Sequence, residues 1–127
     1  MTRQLMTRRT VQPPLPLNVP AMPAAVEAEL GSHIMPGWVE QAACASQRFD
    51  PDWWFTPADD PSQTVARDVC GCCPVRRSCL AHALVVNEPH GIWGGFDESE
   101  RAWLRLALAE GTPVPAILDP YTGTAAA

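Results

Sequence analysis

The sequence predicts an all-α fold, a small bundle of about four short helices within residues 36–110. Apolar residues in this stretch recur at helical spacing, and no strand-like alternation of apolar and polar residues is evident. The stretch also contains all five Cys, all five Trp and all three Phe residues of the 127-residue chain. A core of about 75 residues is marginal unless something staples it, so the composition already calls for a cofactor.

The helices are predicted from N-cap residues, helix-initiating prolines and apolar residues that share one face, over 38–45, 62–70, 74–86 and 97–110. Ser62 is the predicted N-cap of the second helix, and Pro74 suits the first turn of the third. The fourth begins at Asp97 with Glu100 three residues on, a pattern close to a capping box, and Gly111 ends it.

Both flanks of this domain are predicted to lack stable structure. Residues 1–36 hold six of the 14 prolines, and residues 1–35 contain neither Cys nor Trp, so they are interpreted as a disordered arm. Residues 111–127 are interpreted as a flexible tail. Four residues in that tail could still dock on the core: Val114, Ile117, Leu118 and Tyr121.

The charge pattern excludes two classes of protein. Nine Arg and no Lys stand against 14 acidic residues, and a net charge of −5 excludes a basic protein that coats nucleic acid. No apolar run approaches the ~20 residues that span a bilayer. Prolines follow the N-terminal arginines where a signal peptide needs an apolar run. We therefore expect a cytoplasmic protein without a membrane partner, whose cysteines stay reduced and suit a metal.

Four of the five cysteines, Cys44, Cys70, Cys73 and Cys79, have the spacing C-x25-C-x2-C-x5-C. Four thiolates suit either Zn²⁺ or an iron–sulfur cluster. A zinc ribbon usually pairs two short knuckles, and only one is present here, so the spacing favours iron–sulfur over zinc. A redox disulfide or unligated core cysteines remain the third interpretation. Cys72 is interpreted as a spare thiol, or as a disulfide partner once metal is lost.

A glycine-rich motif, Gly91-Ile92-Trp93-Gly94-Gly95, follows the cysteines. Three glycines around a bulky apolar pair mark a tight turn, with Trp93 either packed in the core or presented as a binding anchor. The four cysteines, this turn and the helix start at 98–101 together resemble the WhiB-like family of actinobacterial iron–sulfur transcription factors. The resemblance covers about residues 37–108.

The resemblance implies that Cys44, Cys70, Cys73 and Cys79 ligate one [4Fe–4S] cluster that reacts with O₂ and nitric oxide. Such clusters are nitrosylated or lost, after which the cysteines can form disulfides. The resemblance also implies binding to region four of the primary sigma factor of RNA polymerase, through residues around the cluster. The implied contact residues are Trp38, Trp54, Phe55, Gly91, Trp93, Gly94 and Gly95, and for Trp53 core packing is expected.

The chain departs from the family in its C-terminal region. Many members carry a basic stretch or AT-hook that reaches DNA, whereas no positive charge follows Arg105 here. Arg101 and Arg105 are the candidates for DNA contact, while Arg76 and Arg77 are interpreted as a solvated helix face. With ten acidic residues in 37–109, contact with promoter DNA should be weak and made chiefly through sigma factor and polymerase.

The predicted function is therefore a redox- and nitric-oxide-responsive transcriptional regulator, and not an enzyme. Two alternatives stay open. One is a thiol–disulfide oxidoreductase using Cys70 and Cys73 in the metal-free protein, although the βαβ context of thioredoxin-like motifs is absent. The other is a zinc-stabilised adaptor without a sensing role.

Overall fold

The architecture is helical, as a computed structural model that describes residues 14–16 and 20–121 shows. In these residues the α-helices are α1 (Ala24–Gly31), α2 (Pro61–Gly71), α3 (Arg76–Val86), α4 (Glu98–Ala109) and α5 (Val114–Leu118). Shorter 3-10 turns cover Trp38–Gln41, Ala43–Ala45, Pro51–Phe55 and Asp119–Tyr121. The described part contains no strand, only an isolated bridge between Trp93 and Phe96. The all-α prediction is confirmed.

Local capping fixes the ends of the central helices. Asp97 and Glu100 form the predicted capping box at α4, each side chain accepting from the other's backbone N–H at 2.8 Å. At α2 the cap is Asp60, which accepts from the Ser62 N–H at 2.8 Å, so the prediction of Ser62 as N-cap was wrong. The proline that follows Asp60 occupies the first helical position, where no N–H is needed. The third helix begins two residues after Pro74.

The predicted helix over 38–45 is instead two 3-10 turns. Ala42 separates them with an extended backbone, at φ −66° and ψ 134°, which interrupts any continuous helical hydrogen-bond ladder. The second turn holds Cys44, and its Ala43 N–H donates to the Cys73 sulfur at 3.4 Å. A tertiary contact thus overrides the helix propensity of this alanine-rich segment.

Two apolar clusters form the core. The larger one packs one face of α3 against α4 and the two flanking segments, with Met22, Leu30, Leu80, Ala81, Leu84, Leu108, Val114 and Leu118 buried. The smaller one joins α2 to the Pro51–Phe55 turn, with Trp54, Ala66, Cys70 and Ile92 buried. Leu30 and Leu118 are fully buried, so neither 22–35 nor 111–121 is a disordered segment as predicted. Helices α1 and α5 bury their apolar residues against the apolar face of α3, because neither flanking segment is long enough to form a core by itself.

Polar contacts also attach the flanking segments to α3. The Ser78 hydroxyl donates to the His33 carbonyl and accepts from the Met35 N–H, both at 3.1 Å. Arg77 contacts the His33 ring at 3.1 Å and the Asp119 carboxylate at 2.8 Å. The predicted arm over 1–13 and 17–19, and the predicted tail over 122–127, lie outside the described residues.

The helices are short compared with the thickness of a membrane. In the described residues, no single helix is long and apolar enough to cross a bilayer. Only α2 and α3 taken together pass the criteria of length and composition, and they are bent by 115°.

Candidate metal centre

One cavity of about 390 Å³ is lined by all four cysteines of the C-x25-C-x2-C-x5-C set. Cys44 comes from the Ala43–Ala45 turn, Cys70 from the last turn of α2, and Cys79 from the first turn of α3. Cys73 lies in the short connection where the chain bends between those two helices. The bend brings the end of α2 and the start of α3 to one place, and the Ala43–Ala45 turn adds the fourth thiol.

The thiols lie in an apolar environment that disfavours their charged form. Cys70 and Cys73 are buried, Cys79 is half-buried and Cys44 is exposed. Burial raises the pKa of Cys70 and raises that of Cys79 to about 12, and neighbouring thiols add to both shifts. Although Cys44 is exposed as a residue, its thiol is partly buried, and this burial, followed by the neighbouring Cys73, raises its pKa. Four thiolates gathered here therefore need a compensating cationic group, which a metal centre provides.

Hydrogen-bond donors are nevertheless aimed at the sulfurs. The indole N–H of Trp54 donates to the Cys70 sulfur at 3.4 Å, just as the Ala43 N–H does to Cys73. Backbone groups of Gly94 and Gly95 hydrogen-bond to Cys79 and Cys70 and lower their pKa, against the larger effect of burial. Donors of this kind orient thiolate ligands and tune a bound metal group.

The donor set fits a polynuclear group. All four thiols line one shared cavity, which has room for a group larger than one ion. In the part of the chain that the structure describes, no three His, Cys, Asp or Glu side chains are arranged to hold one metal ion. Four cysteine ligands are the usual set for a [4Fe–4S] cluster. Cys72 is exposed and does not line the cavity, which fits either a spare thiol or a disulfide partner after metal loss.

Aromatic residues form the wall and rim of the cavity. The His82 ring contacts both Trp38 and Trp93 in tilted pairs with centroids 5.4 Å apart, and the His82 Nε2 lies 3.1 Å from Glu88. Phe55 lines the same cavity and is 59% exposed. The structure therefore brings three of the predicted contact residues together. The contact among these three rings could not be predicted from the sequence, because it depends on the tertiary fold.

Trp54 differs from the other predicted contact residues. It is only 5% exposed, and its ring is part of the smaller apolar cluster. The structure therefore places it in the cavity wall and not on the exposed surface predicted for it. A pair of adjacent aromatic residues on a 3-10 turn points in different directions, so only Phe55 of this pair reaches solvent.

The glycine-rich turn is held by arginines from the surrounding helices. Arg67 of α2 donates to the Gly95 carbonyl at 2.8 Å, and Arg76 of α3 donates to the Gly94 carbonyl at 2.7 Å. Arg76 was predicted to lie on a solvated helix face, and this was wrong, because its guanidinium satisfies the backbone of the turn. A tight turn rich in glycine leaves carbonyls that local backbone bonds cannot satisfy.

Arg101 of α4 completes this arrangement from inside the protein. It is 3% exposed and donates to the carbonyls of Gly91 and Phe96, each at 2.6 Å, and of Glu88 at 3.0 Å. Burial lowers its pKa. The prediction of DNA contact for Arg101 was therefore wrong, since its donors are used within the fold. One sequence signal existed, because Arg101 lies seven residues before the buried Leu108 on the same helix face.

The remaining helical arginines are also engaged. Arg105 donates to the Leu84 carbonyl and is half-buried. Arg77 makes the contacts with His33 and Asp119 described above. A DNA contact by Arg105 stays a prediction that would require its side chain to leave α3.

Comparison with known proteins places this site in a family. The family model for Transcription factor WhiB matches residues 38–104, the stretch that contains the cavity and the arginine-held turn. Transcriptional regulator WhiD of Streptomyces coelicolor is 44% identical over 68 residues, which cover 50% of this chain and 61% of that relative. Transcriptional regulator WhiB2 of Mycobacterium tuberculosis is 39% identical over 90 residues, which cover 71% of this chain and 98% of that relative.

A third relative, WhiB3 of Mycobacterium tuberculosis, is described as a redox- and pH-responsive transcriptional regulator. It is 41% identical over 68 residues, covering 50% of this chain and 67% of the relative. The matched residues of the family model span more than half of the 127 positions. The chain therefore belongs to the WhiB family of transcription factors.

Proposed function

We propose that the protein is a redox- and nitric-oxide-responsive iron–sulfur regulator that acts through the primary sigma factor of RNA polymerase. The observation that carries the proposal is the one cavity that all four cysteines line. When bound, a [4Fe–4S] cluster would supply redox and nitric oxide chemistry there. Cys44, Cys70, Cys73 and Cys79 would hold it. The redox-responsive name of a relative, WhiB3, points in the same direction.

The four proposed ligands would join the Ala43–Ala45 turn to α2 and α3. Cys44 lies on a 3-10 turn with no buried residue, so little apolar packing holds that segment in place. A metal bond to Cys44 would fix the turn against α2 and α3. Loss of that bond would release the segment, and the aromatic rim beside it would change shape.

The rim is the surface through which we expect a partner to bind. Val39 and Phe55 are 56% and 59% exposed, and both line the cavity beside Trp93. Exposed apolar residues grouped with a tryptophan are typical of a protein interface. A change at the thiols would therefore be transmitted directly to the bound sigma factor, without a long-range pathway.

The charges favour action through polymerase over independent DNA binding. In the helices of the described residues, all five arginines donate to groups within the fold: Arg67, Arg76, Arg77, Arg101 and Arg105. Phosphate contacts supply much of the affinity of DNA-binding proteins, and such contacts need free cationic side chains. We therefore place the promoter specificity mainly in the sigma factor and polymerase.

The test is anaerobic purification of the full chain together with region four of the primary sigma factor. The ultraviolet–visible spectrum and iron content should show a brown complex with about four irons per chain, and nitric oxide should change that spectrum. Cys79→Ser should lose iron, whereas the exposed Cys72→Ser is the matched control and should keep it. One zinc per colourless chain would contradict the sensing proposal and support the adaptor.

The same preparation separates the oxidoreductase alternative. Cys70 and Cys73 are each 8% exposed, so a disulfide substrate has poor access to either sulfur. Metal-free protein should therefore show no turnover of a disulfide substrate. Turnover that disappears in Cys73→Ser would favour that alternative instead.

A further inference from the structure

We propose that Trp54 raises the reduction potential of the bound cluster by donating its indole N–H to the sulfur of the ligand Cys70. The inference rests on the proposed iron–sulfur function and adds a residue that sets the redox range of the same site. Trp54 acts through Cys70, so it is a positioning residue and not a ligand.

The hydrogen bond lies in a protected place. The Trp54 Nε1 is 3.4 Å from the Cys70 sulfur, and both residues belong to the smaller apolar cluster with Ala66 and Ile92. Trp54 is 5% exposed and Cys70 is 8% exposed. An N–H bond to sulfur has more electrostatic effect in such surroundings than in water, because the local dielectric is low.

The surrounding structure fixes the indole in one orientation. Asp50 caps the Pro51–Phe55 turn by accepting from the Asp52 N–H at 3.0 Å. The Trp54 carbonyl accepts from the Ile92 N–H at 2.7 Å, and Phe49 packs edge-on against the ring with centroids 6.3 Å apart. The donor is therefore held against the sulfur by backbone and ring contacts on separate sides.

The other tryptophan that lines the cavity beside the turn uses its donor elsewhere. The Trp93 N–H donates to the His90 carbonyl at 2.8 Å, away from the cysteines. A buried indole N–H normally finds a partner, and for Trp54 that partner is the thiol sulfur of a predicted ligand. The indole therefore makes a hydrogen bond to the Cys70 sulfur that a phenyl ring at the same position could not make.

The direction of the effect follows from charge. Reduction adds one electron to the cluster and its thiolates, and a donor N–H stabilises the added negative charge. Removing the donor should therefore make reduction harder and the potential more negative. In the titration the electron comes from dithionite, and no bond of the protein is made or broken.

The experiment compares Trp54→Phe with the wild-type chain and with Trp53→Phe. Phenylalanine keeps an apolar ring but lacks the N–H. Trp53 is the matched control because it is half-buried on the same turn and does not line the cavity. At a fixed potential, the ratio of reduced to oxidised cluster should fall about threefold or more in Trp54→Phe only, as read by anaerobic dithionite titration.

An unchanged potential in a Trp54→Phe protein with normal iron content would overturn the inference and leave the proposed function standing. A wild-type chain without iron would overturn both. If Trp54→Phe does not hold iron, pulsed electron paramagnetic resonance decides instead. A reduced protein carrying Trp38→Phe and Trp93→Phe keeps Trp54 as the one tryptophan that lines the cavity. Labelled with ¹⁵N at its indole nitrogens, it should show a coupling to an indole nitrogen, and absence of that coupling would overturn the inference.

Discussion

Gly94→Ala should destabilise the protein, because the added methyl group would meet the backbone side of α3. Gly94 has φ +62°, and a Cβ there would lie 2.7 Å from the Leu80 Cβ and 3.1 Å from the Leu80 Cα. These atoms belong to the backbone and first side-chain carbon of α3, which cannot rotate away. At Gly95 the nearest atom is instead the mobile end of the Arg76 side chain.

Two contributions determine the size of the effect. A left-handed backbone costs a residue with a Cβ about 1–2 kcal/mol. Overpacking against a fixed neighbour adds about 1–3 kcal/mol. Together they predict that Gly94→Ala lowers the free energy of unfolding by about 2–5 kcal/mol. Such a loss is a large part of the stability of a small domain.

Gly37→Ala isolates the first contribution. Gly37 has φ +75°, and its nearest neighbour is the tip of the Glu40 side chain at 3.8 Å, an ordinary contact. Urea unfolding of the anaerobically purified chains, followed by tryptophan fluorescence, should show a loss of about 1–2 kcal/mol for this control. Equal losses for the two variants would show that Gly94 does not lie against α3 and would refute the packing described here.

Three further predictions concern stability. Arg101→Met should lower the free energy of unfolding by about 3–5 kcal/mol, because it leaves three carbonyls without their buried donor. Arg48 is exposed, so Arg48→Met should lower it by under about 1 kcal/mol in the same urea titration. Leu30→Ala and Leu118→Ala should each cost about 2–5 kcal/mol, and values near zero would show that the flanking segments are not part of the core. In the metal-free protein, burial in the folded state raises the pKa of the Cys79 thiol from 9.0 to about 12. The thiol of the unfolded chain therefore loses its proton at lower pH, so the free energy of unfolding should fall as pH rises from 9 to about 12. An equally steep fall in a Cys79→Ala chain would contradict the assignment to Cys79.

The parts of the fold that were predictable depend on local chemistry. The capping box at Asp97 and Glu100 is satisfied within four residues, so α4 could be located from the sequence. The cysteine spacing likewise predicted one shared site, because a C-x-x-C pair at a helix end limits where its thiols can point. The four thiols do line one cavity.

The parts of the fold that were not predictable depend on which surfaces are buried by contacts between segments that are distant in the sequence. Helix α1 has almost no amphipathic pattern, and Leu30 is its one buried residue, so its order comes from the α3 face it covers. Trp54 is buried and Phe55 is exposed although the two residues are adjacent, and the sequence does not show this difference. The burial of Arg101 arises from carbonyls of a turn whose shape is a tertiary property.

The meeting of α1 and α5 on α3 has a practical consequence for any shortened version of the protein. A fragment limited to residues 38–104, the stretch matched by the family model, would lack Met22, Leu30, Val114 and Leu118. It would present the bare leucine face of α3 to water, and exposed apolar patches of this kind promote aggregation. Fragments for biophysical work should therefore begin before Met22 and end after Tyr121, and insolubility of the shorter piece would say nothing about its cysteines.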